Sequence, residues 1–368
     1  QYKSGKRKAF YKDKHLPLEM RDKIRATLKR KYQSGEIIPF WLGKKLPEYI
    51  VQKCREAAIN RLPTLKGDKY TYNTKPEQKV EEEFSSFLNM DWKGKKVLFN
   101  GATGFIGSNL IKGLLKLGAD IYSIDNFSYI DSDLAKRKLS DMLNQIRIIE
   151  GDVSKKEIWE KVPGDIEYIF HFAAPSSITL FKNNPEKCYN ETIFGFWNAL
   201  EFAKKNGTKK VVYPSSGSNY AGNEMPHHEN ISVKPRNLYA AAKVACEGLA
   251  SSYSDFVICV GLRIFGGYGP GEEWKREFGS VLYMFIRDYM NEKAPVVWGD
   301  GGQTRDFIYI EDIVKATIRA AEIDYQGVIN VGTGKEISFK ELLSLVKNSF
   351  GSGLDPIFIP KDKNYVDN

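Results

Sequence analysis

The feature that most constrains the fold is a glycine-rich turn directly after a short apolar run. Val97-Leu-Phe99 is followed by Asn100-Gly-Ala-Thr-Gly-Phe-Ile-Gly-Ser108. Glycines at this spacing permit a tight strand-to-helix turn, a close approach of the backbone to a pyrophosphate, and close helix packing on the strand. The stretch from Phe105 to Leu117 is predicted to be that helix, whose N-terminus then faces the phosphate charge. The sequence therefore predicts a dinucleotide-binding turn made by Gly101, Gly104, Phe105, Ile106 and Gly107.

Further apolar runs follow, with helical stretches between most of them. Such alternation predicts βαβ units and a parallel sheet with helices on both faces. We therefore expect an α/β fold, a Rossmann-type doubly wound parallel sheet, over residues 91–265. The predicted strands are centred on the runs 97–99, 120–124, 146–149, 166–170, 210–213 and 256–260.

The front of the chain differs from the rest in charge. Residues 1–90 carry 21 Lys and Arg against 11 Asp and Glu, a net charge of +10, which leaves −1 of the total +9 for residues 91–368. Apolar residues recur there at every fourth position, which predicts a basic helical N-terminal extension over residues 1–90. A basic helical segment could contact nucleic acid or an anionic membrane. We favour packing on its own domain or on a sister subunit, because aromatic residues do not interleave with the charges.

Composition excludes several classes of protein. With 42% hydrophobic residues among 368, the chain can bury a substantial core. It contains no apolar run long enough to span a membrane, and its first residues lack the apolar segment of a signal peptide, so we expect a cytoplasmic protein without membrane insertion. The four cysteines and four histidines show no spacing typical of a zinc site or a disulfide framework, so neither is expected.

An aspartate at the end of the second predicted strand specifies the dinucleotide. Asp125 lies 21 residues after Gly104, where a carboxylate can accept both adenosine-ribose hydroxyls and would repel a 2′-phosphate. NAD is therefore preferred over NADP. Weaker candidates for cofactor contacts stand at or near other predicted strand ends, namely Asn126, Asp152, Val153, Phe172, Ala173 and Ala174.

A tyrosine and a lysine stand four residues apart in Leu238-Tyr-Ala-Ala-Ala-Lys-Val-Ala-Cys-Glu247. Because this stretch is predicted to be helical, Tyr239 and Lys243 share one face. Tyrosine is a poor base at neutral pH, and a nearby ammonium favours its phenolate form. The pair therefore indicates proton transfer next to a dinucleotide.

From about Lys95 to its end, the sequence resembles the extended short-chain dehydrogenases/reductases of the nucleotide-sugar epimerase and dehydratase group, such as UDP-glucose 4-epimerase. The resemblance covers about three-quarters of the chain. It is carried by the glycine turn, Asp125-Asn126, His171-Phe-Ala-Ala174, Tyr189-Asn190, Pro214-Ser-Ser216, Tyr239-Ala-Ala-Ala-Lys243, Leu262-Arg-Ile-Phe265 with Tyr268-Gly-Pro270, and Gln303-Thr-Arg-Asp-Phe307.

The resemblance implies roles for single residues. Tyr239 would be the acid/base, Lys243 would bind the nicotinamide ribose, and Ser216 would hydrogen-bond the reacting oxygen. Arg305 would pair with the diphosphate of a nucleotide-diphosphate sugar. Residues 266–368 would form a smaller substrate-binding subdomain, interleaved with the main domain, in a protein expected to be a homodimer. Further substrate contacts are expected from Ser176, Ser218 and Asn219.

The residues after Ser216 favour one reaction of the group. Dehydratases and decarboxylases of the group resemble Thr-Asp-Glu or Thr-Ser-Glu at this point, whereas Gly217-Ser-Asn219 contains no carboxylate. Epimerisation, at C4 in the commonest case, needs no additional acid. A nucleotide-sugar dehydrogenase needs the same residues and stays open, as does an NAD-binding sensor or scaffold.

One position departs from the group. Gly266 stands where the group usually has an asparagine. A contact of that asparagine with the substrate phosphates is therefore not expected here.

Overall fold

The structure is a computed structural model that describes residues 90–128, 139–350 and 353–360. The predicted helical extension over residues 1–90 lies outside this part, apart from its last residue. No helix in the described part is both long and apolar enough to cross a membrane.

A seven-stranded sheet forms the centre of the fold, in the order β3-β2-β1-β4-β5-β6-β10 with all neighbours parallel. The order reverses between β1 and β4, and in such sheets ligands bind at the carboxyl ends of the strands beside this point. The strands are β1 Lys96–Asn100, β2 Asp120–Asp125, β3 Arg147–Glu150, β4 Tyr168–His171, β5 Lys210–Ser216, β6 Ile258–Ile264 and β10 Gly327–Val331.

Helices cover both faces of this sheet, which accounts for its apolar strands. Phe105–Lys116 and Ile310–Glu322 pack on one face, and Gly195–Asn206 and Leu238–Ser252 pack on the other. In β1, Val97, Leu98 and Phe99 are fully buried, as expected for a strand covered on both sides. The other helical segments are Ser140–Leu143, Lys156–Trp159, Ile178–Asn183, Pro185–Tyr189, a π-helical turn Asn190–Phe194, 3₁₀ turns Gly217–Tyr220 and Glu272–Phe278, Val281–Met290 and Phe339–Phe350.

Two smaller sheets lie beyond β6. One has the order β11-β9-β7 and the other pairs β12 with β8. Their cluster of buried residues includes Phe285 from the helix Val281–Met290 and Phe339 from the helix Phe339–Phe350. The strands are β7 Gly266–Tyr268, β8 Val296–Trp298, β9 Thr304–Tyr309, β11 Glu336–Ser338 and β12 Ile357–Ile359.

The predicted α/β class and the doubly wound parallel sheet are confirmed, with differences at strand ends. The prediction ended β5 at Tyr213, but the strand continues through Pro214 to Ser216. Proline is tolerated there because pairing of β5 with β4 stops at Val212, which leaves only β6 as partner. This extension places Ser216 on the strand end itself.

Candidate active site

A cavity of about 930 Å³ opens at the carboxyl ends of the central strands. It collects side chains and backbone from turns that are far apart in sequence. Of the predicted site residues, the cavity is lined by Gly101, Gly104, Phe105, Ile106, Gly107, Asp125, Asn126, Asp152, Val153, Phe172, Ala173, Ala174, Ser176, Ser216, Ser218, Tyr239, Lys243 and Arg305. Asn219 is the one predicted site residue that does not line the cavity.

The turn after β1 has no room for a side chain at two of its glycines. Gly101 has φ +89°, and a Cβ there would lie 2.8 Å from the backbone nitrogen of Ala173. A Cβ on Gly107 would overlap the carbonyl oxygen of Gly101. The helix Phe105–Lys116 begins after Gly104 with no side-chain cap and no acidic residue in its first turn. Its first N–H groups are therefore available to an anion in the cavity.

Asp125 is held at the end of β2 by three donors. Its Oδ2 accepts hydrogen bonds from the backbone N–H and the hydroxyl of Thr103, at 2.9 and 2.8 Å. Its Oδ1 accepts from the backbone N–H of Phe127 at 2.8 Å. Burial raises the pKa of Asp125, whereas these hydrogen bonds act to lower it. The carboxylate is thus fixed at the cavity wall. Both lone pairs of Oδ2 are engaged, whereas Oδ1 keeps one for a further donor.

Ser216 and Ser218 lie at the end of β5 in the 3₁₀ turn Gly217–Tyr220. The Ser216 hydroxyl oxygen accepts a hydrogen bond from the backbone N–H of Ser218 at 3.1 Å. Because the oxygen is the acceptor there, its proton can be donated into the cavity. The turn therefore orients the Ser216 hydroxyl and leaves its proton available for donation.

Tyr239 and Lys243 come from the first turns of the helix Leu238–Ser252. Asn237 caps this helix, with its side-chain oxygen accepting from the backbone N–H of Ala240 at 2.8 Å. The Lys243 ammonium lies 5.8 Å from the centroid of the Tyr239 ring and is nearly fully buried. The ring of Phe181 meets the Tyr239 ring edge-on, with centroids 5.6 Å apart. Tyr239 and Lys243 thus lie on one face of their helix, and they line the same cavity as Ser216.

This geometry can be compared with that of known proteins. The sequence profile of the NAD dependent epimerase/dehydratase family matches residues 97–332. The chain belongs to this family. As a member of this family, the chain is an NAD-dependent enzyme.

Proteins similar to this chain include several that are named 4-epimerases of UDP-sugars. UDP-glucose 4-epimerase from Mycolicibacterium smegmatis is 31% identical over 72% of this chain and 86% of its own length. Among solved structures, UDP-N-acetylglucosamine 4-epimerase from Methanobrevibacter ruminantium, in complex with UDP-N-acetylmuramic acid, has a TM-score of 0.70 and 31% identity, covering 75% of this chain and 88% of that one. UDP-glucuronic acid 4-epimerase from Bacillus cereus, in complex with UDP-glucuronic acid and NAD, has a TM-score of 0.66 and 27% identity, covering 74% and 88%.

The residues present fit the cofactor of this family. The glycine turn leaves space that a Cβ would fill, and the uncapped helix behind it suits a pyrophosphate. Asp125 suits the adenosine ribose. No group of three or more metal-binding side chains is found within residues 90–128, 139–350 and 353–360.

Asn219 is placed differently from the expectation that it contacts substrate. It is fully buried, and its Nδ2 donates to Ser215 Oγ at 3.1 Å and to Glu247 Oε1 at 3.0 Å. Successive residues of a 3₁₀ turn point about 120° apart, so Ser218 faces the cavity while Asn219 faces the interior. Glu247 in turn forms a buried ion pair with Arg263, with 2.7 Å between Oε2 and Nη2. Asn219 therefore stabilises the turn from its buried side.

Arg305 lies on β9, far along the chain from Ser216, Tyr239 and Lys243. Its Nη1 donates to the carbonyl oxygen of Thr304 at 2.7 Å, and its guanidinium carbon lies 5.6 Å from the centroid of the Phe339 ring. Gly266 on the adjacent β7 lines the same cavity, and a Cβ there would lie 2.8 Å from the carbonyl oxygen of Asp306. Close approach of β7 and β9 thus accounts for the glycine that departs from the family.

Several cavity residues were not found from the sequence. Glu191 is 4% exposed and lies in the π-helical turn, a distortion that often marks functional sites. Lys275 and Arg287 line the cavity from the segment that follows β7. Glu191 stands between the polar residues Asn190 and Thr192, so the local sequence does not distinguish it from a surface glutamate. The two cations have no motif of their own.

His171 supports the floor of the site and gives a pH prediction. Its Nδ1 lies 3.0 Å from the Asn100 side-chain nitrogen, and burial lowers the pKa of His171 to about 3, with the Lys243 ammonium acting in the same direction. The unfolded chain takes up a proton below about pH 6.5 and the folded one does not, so stability is full above that pH and falls as pH decreases toward 3. We expect His171 to remove about 2–3 kcal/mol of unfolding free energy between about pH 7 and about pH 4.5.

Urea unfolding of the wild type, His171→Gln and the exposed control His228→Gln at these two pH values checks this expectation. His171→Gln should lose less unfolding free energy on acidification than the wild type, and His228→Gln should match the wild type. Equal losses in the wild type and His171→Gln would contradict the assignment.

Proposed function

We propose that this protein is a nucleotide-sugar 4-epimerase that acts on a UDP-sugar through a transient 4-keto-sugar. The observation that carries the proposal is the common wall formed by Ser216, Tyr239 and Lys243 beside the glycine turn. The absence of a carboxylate in Gly217-Ser-Asn219 favours epimerisation over elimination of water. The 4-epimerases among the relatives support the same reaction.

The proposed chemistry divides the work among a few side chains. NAD, when bound, supplies the hydride acceptor and donor. Tyr239 takes the proton of the 4-hydroxyl as hydride leaves C4, and it returns that proton when hydride comes back to the opposite face of the keto-sugar. Ser216 donates a hydrogen bond to the reacting oxygen, and the Lys243 ammonium stabilises the phenolate of Tyr239. No atoms are gained or lost over the cycle.

We also propose how the substrate is held. Arg305 offers a bidentate cation to the diphosphate from β9. We assign β9 to a substrate-binding subdomain within residues 266–368, interleaved with the main domain because β10 belongs to the central sheet and the helix Ile310–Glu322 packs on it. Ser176 and Ser218 line the cavity and supply hydroxyl groups for the sugar. The diphosphate would then anchor the nucleotide while the sugar turns between the two hydride transfers.

For location and assembly we propose a cytoplasmic homodimer. Cys188, Cys246 and Cys259 are buried and form no disulfide within the described residues, which suits a reducing compartment. Phe194 precedes the helix Gly195–Asn206, and Phe256 follows the helix Leu238–Ser252. Both phenylalanines are exposed and offer apolar surface to a second copy.

The proposed activity is tested by incubating the purified protein and NAD with UDP-glucose, UDP-glucuronate and UDP-N-acetylglucosamine. We expect one or more of them to reach an equilibrium mixture of C4 epimers, resolved by anion-exchange chromatography and NMR, without accumulation of NADH. Deuterium placed at C4 should be retained in the epimer. Stoichiometric NADH would instead indicate a dehydrogenase, loss of water a dehydratase, and NAD binding without conversion of any sugar a sensor.

A further inference from the structure

The segment 269–280, which joins β7 to the helix Val281–Met290, is fastened to the helix that follows the glycine turn. Asn109 makes this connection, since its Nδ2 donates both to the carbonyl oxygen of Phe105 and to that of Pro270, each at 2.9 Å. The segment therefore lies against the first turn of the helix Phe105–Lys116.

The two ends of the same segment are joined to each other by a buried carboxylate. Glu272, which is 3% exposed, accepts hydrogen bonds from the backbone N–H and the hydroxyl of Ser280, at 2.7 and 3.0 Å. Because these bonds close the segment on itself and Asn109 holds it to the helix, the 3₁₀ turn Glu272–Phe278 has a defined position beside the cavity.

This turn presents a lysine to the cavity. Lys275 lines it, and its ammonium lies 5.8 Å from the centroid of the Phe105 ring, within the usual range of a cation–π contact. Burial lowers the pKa of Lys275, and the nearby charge of Glu272 acts in the opposite direction but does not balance it. Lys275 is half-buried, and because a partly desolvated ammonium is stabilised by a nearby anion, the site favours a negatively charged ligand.

The position of Lys275 indicates which anion this is. Phe105 is the first residue of the helix whose uncapped N–H groups suit the cofactor pyrophosphate. The other diphosphate expected in the cavity belongs to the nucleotide sugar, for which Arg305 on β9 is the candidate cation. Contact with Phe105 places Lys275 on the cofactor side.

We propose that Lys275 binds the diphosphate of NAD and thereby holds the segment 269–280 closed over the bound cofactor. The glycine turn and the helix N-terminus are then one half of the phosphate site, and Lys275 is the other half. This inference rests on the NAD site and is independent of which sugar is converted.

The test compares Lys275→Met, Lys275→Arg and the control Lys112→Met, which removes an exposed charge from the same helix that carries Phe105. After removal of co-purified nucleotide, NAD, ADP-ribose, adenosine and UDP are titrated calorimetrically into each protein. We expect Lys275→Met to weaken NAD and ADP-ribose by about 10–100-fold, the range for a charged hydrogen bond, with adenosine and UDP unchanged. Lys275→Arg and Lys112→Met should stay within about threefold of the wild type.

Two outcomes would overturn the proposal. One is an unchanged NAD affinity in Lys275→Met, and the other is weakened UDP with NAD unaffected, which would assign the lysine to the substrate. Thermal unfolding without ligand establishes that each variant folds. If Lys275→Met does not, Lys275→Gln replaces it under the same criteria.

Discussion

Replacing Tyr239 with phenylalanine is expected to lower kcat for C4 epimerisation by about 10²–10⁴-fold, the usual contribution of a positioned acid/base. The change removes one hydroxyl group and keeps the ring, so the edge-on contact with Phe181 at 5.6 Å remains. NAD affinity should change little, because Lys243 and the glycine turn are untouched. Initial rates with the converted UDP-sugar, together with NAD titration, measure both quantities.

Tyr189→Phe is the matched control for this experiment. Tyr189 also packs edge-on against Phe181, at 5.7 Å, and its hydroxyl donates to the carbonyl oxygen of Leu238 at 3.3 Å. This bond joins Tyr189 to the first residue of the helix that carries Tyr239, but Tyr189 does not line the cavity. Near-normal turnover is expected for Tyr189→Phe. Comparable turnover in Tyr239→Phe and the wild type would remove the tyrosine from its proposed role.

Replacing Gly107 with alanine is expected to abolish tight NAD binding, with a loss of at least about 100-fold in affinity. The added Cβ would overlap the Gly101 carbonyl oxygen and lie 3.1 Å from Cε1 of Phe99, which is fully buried. Since backbone rather than a flexible side chain blocks it, the turn itself must shift away from the pyrophosphate position. Overpacking of this kind also costs about 1–3 kcal/mol of unfolding free energy.

Gly248→Ala provides the comparison, since it makes the same chemical change at an exposed site in the helix Leu238–Ser252 with nothing within 4 Å of the new Cβ. It should bind NAD normally and gain about 0.5–1 kcal/mol of stability. Calorimetric NAD titration and urea unfolding of both variants give the contrast. A Gly107→Ala protein that binds NAD like the wild type would show that the turn tolerates displacement.

The central sheet and the glycine turn could be predicted because their causes are local. A strand covered on both faces must be apolar throughout, and a turn that excludes Cβ atoms must be glycine, so both leave a direct mark on the sequence. The position of Asp125 followed from the same reasoning, since it ends the second of these strands. The extension of β5 through Pro214 could not be predicted in this way, because it depends on where the neighbouring β4 stops.

Residues whose roles come from distant packing were missed or misplaced. Thr103 holds Asp125 across 22 positions, and Lys275 reaches Phe105 from a segment after the last strand of the predicted sheet. Asn219 was expected to contact substrate, yet its direction is set by Glu247 on another element. Nothing in the local composition records such long-range contacts.

The 3₁₀ turn after Ser216 also bears on how this scaffold could acquire a different chemistry. The side chains at two successive positions of this turn point in different directions. Position 218 faces the cavity, whereas position 219 is packed against the Glu247 carboxylate. An acidic side chain at 218 would enter the reaction space, but one at 219 would bring two like charges together in the interior. A carboxylate for elimination chemistry could therefore be introduced at position 218 of this turn. At position 219 the buried ion pair of Glu247 and Arg263 disfavours it.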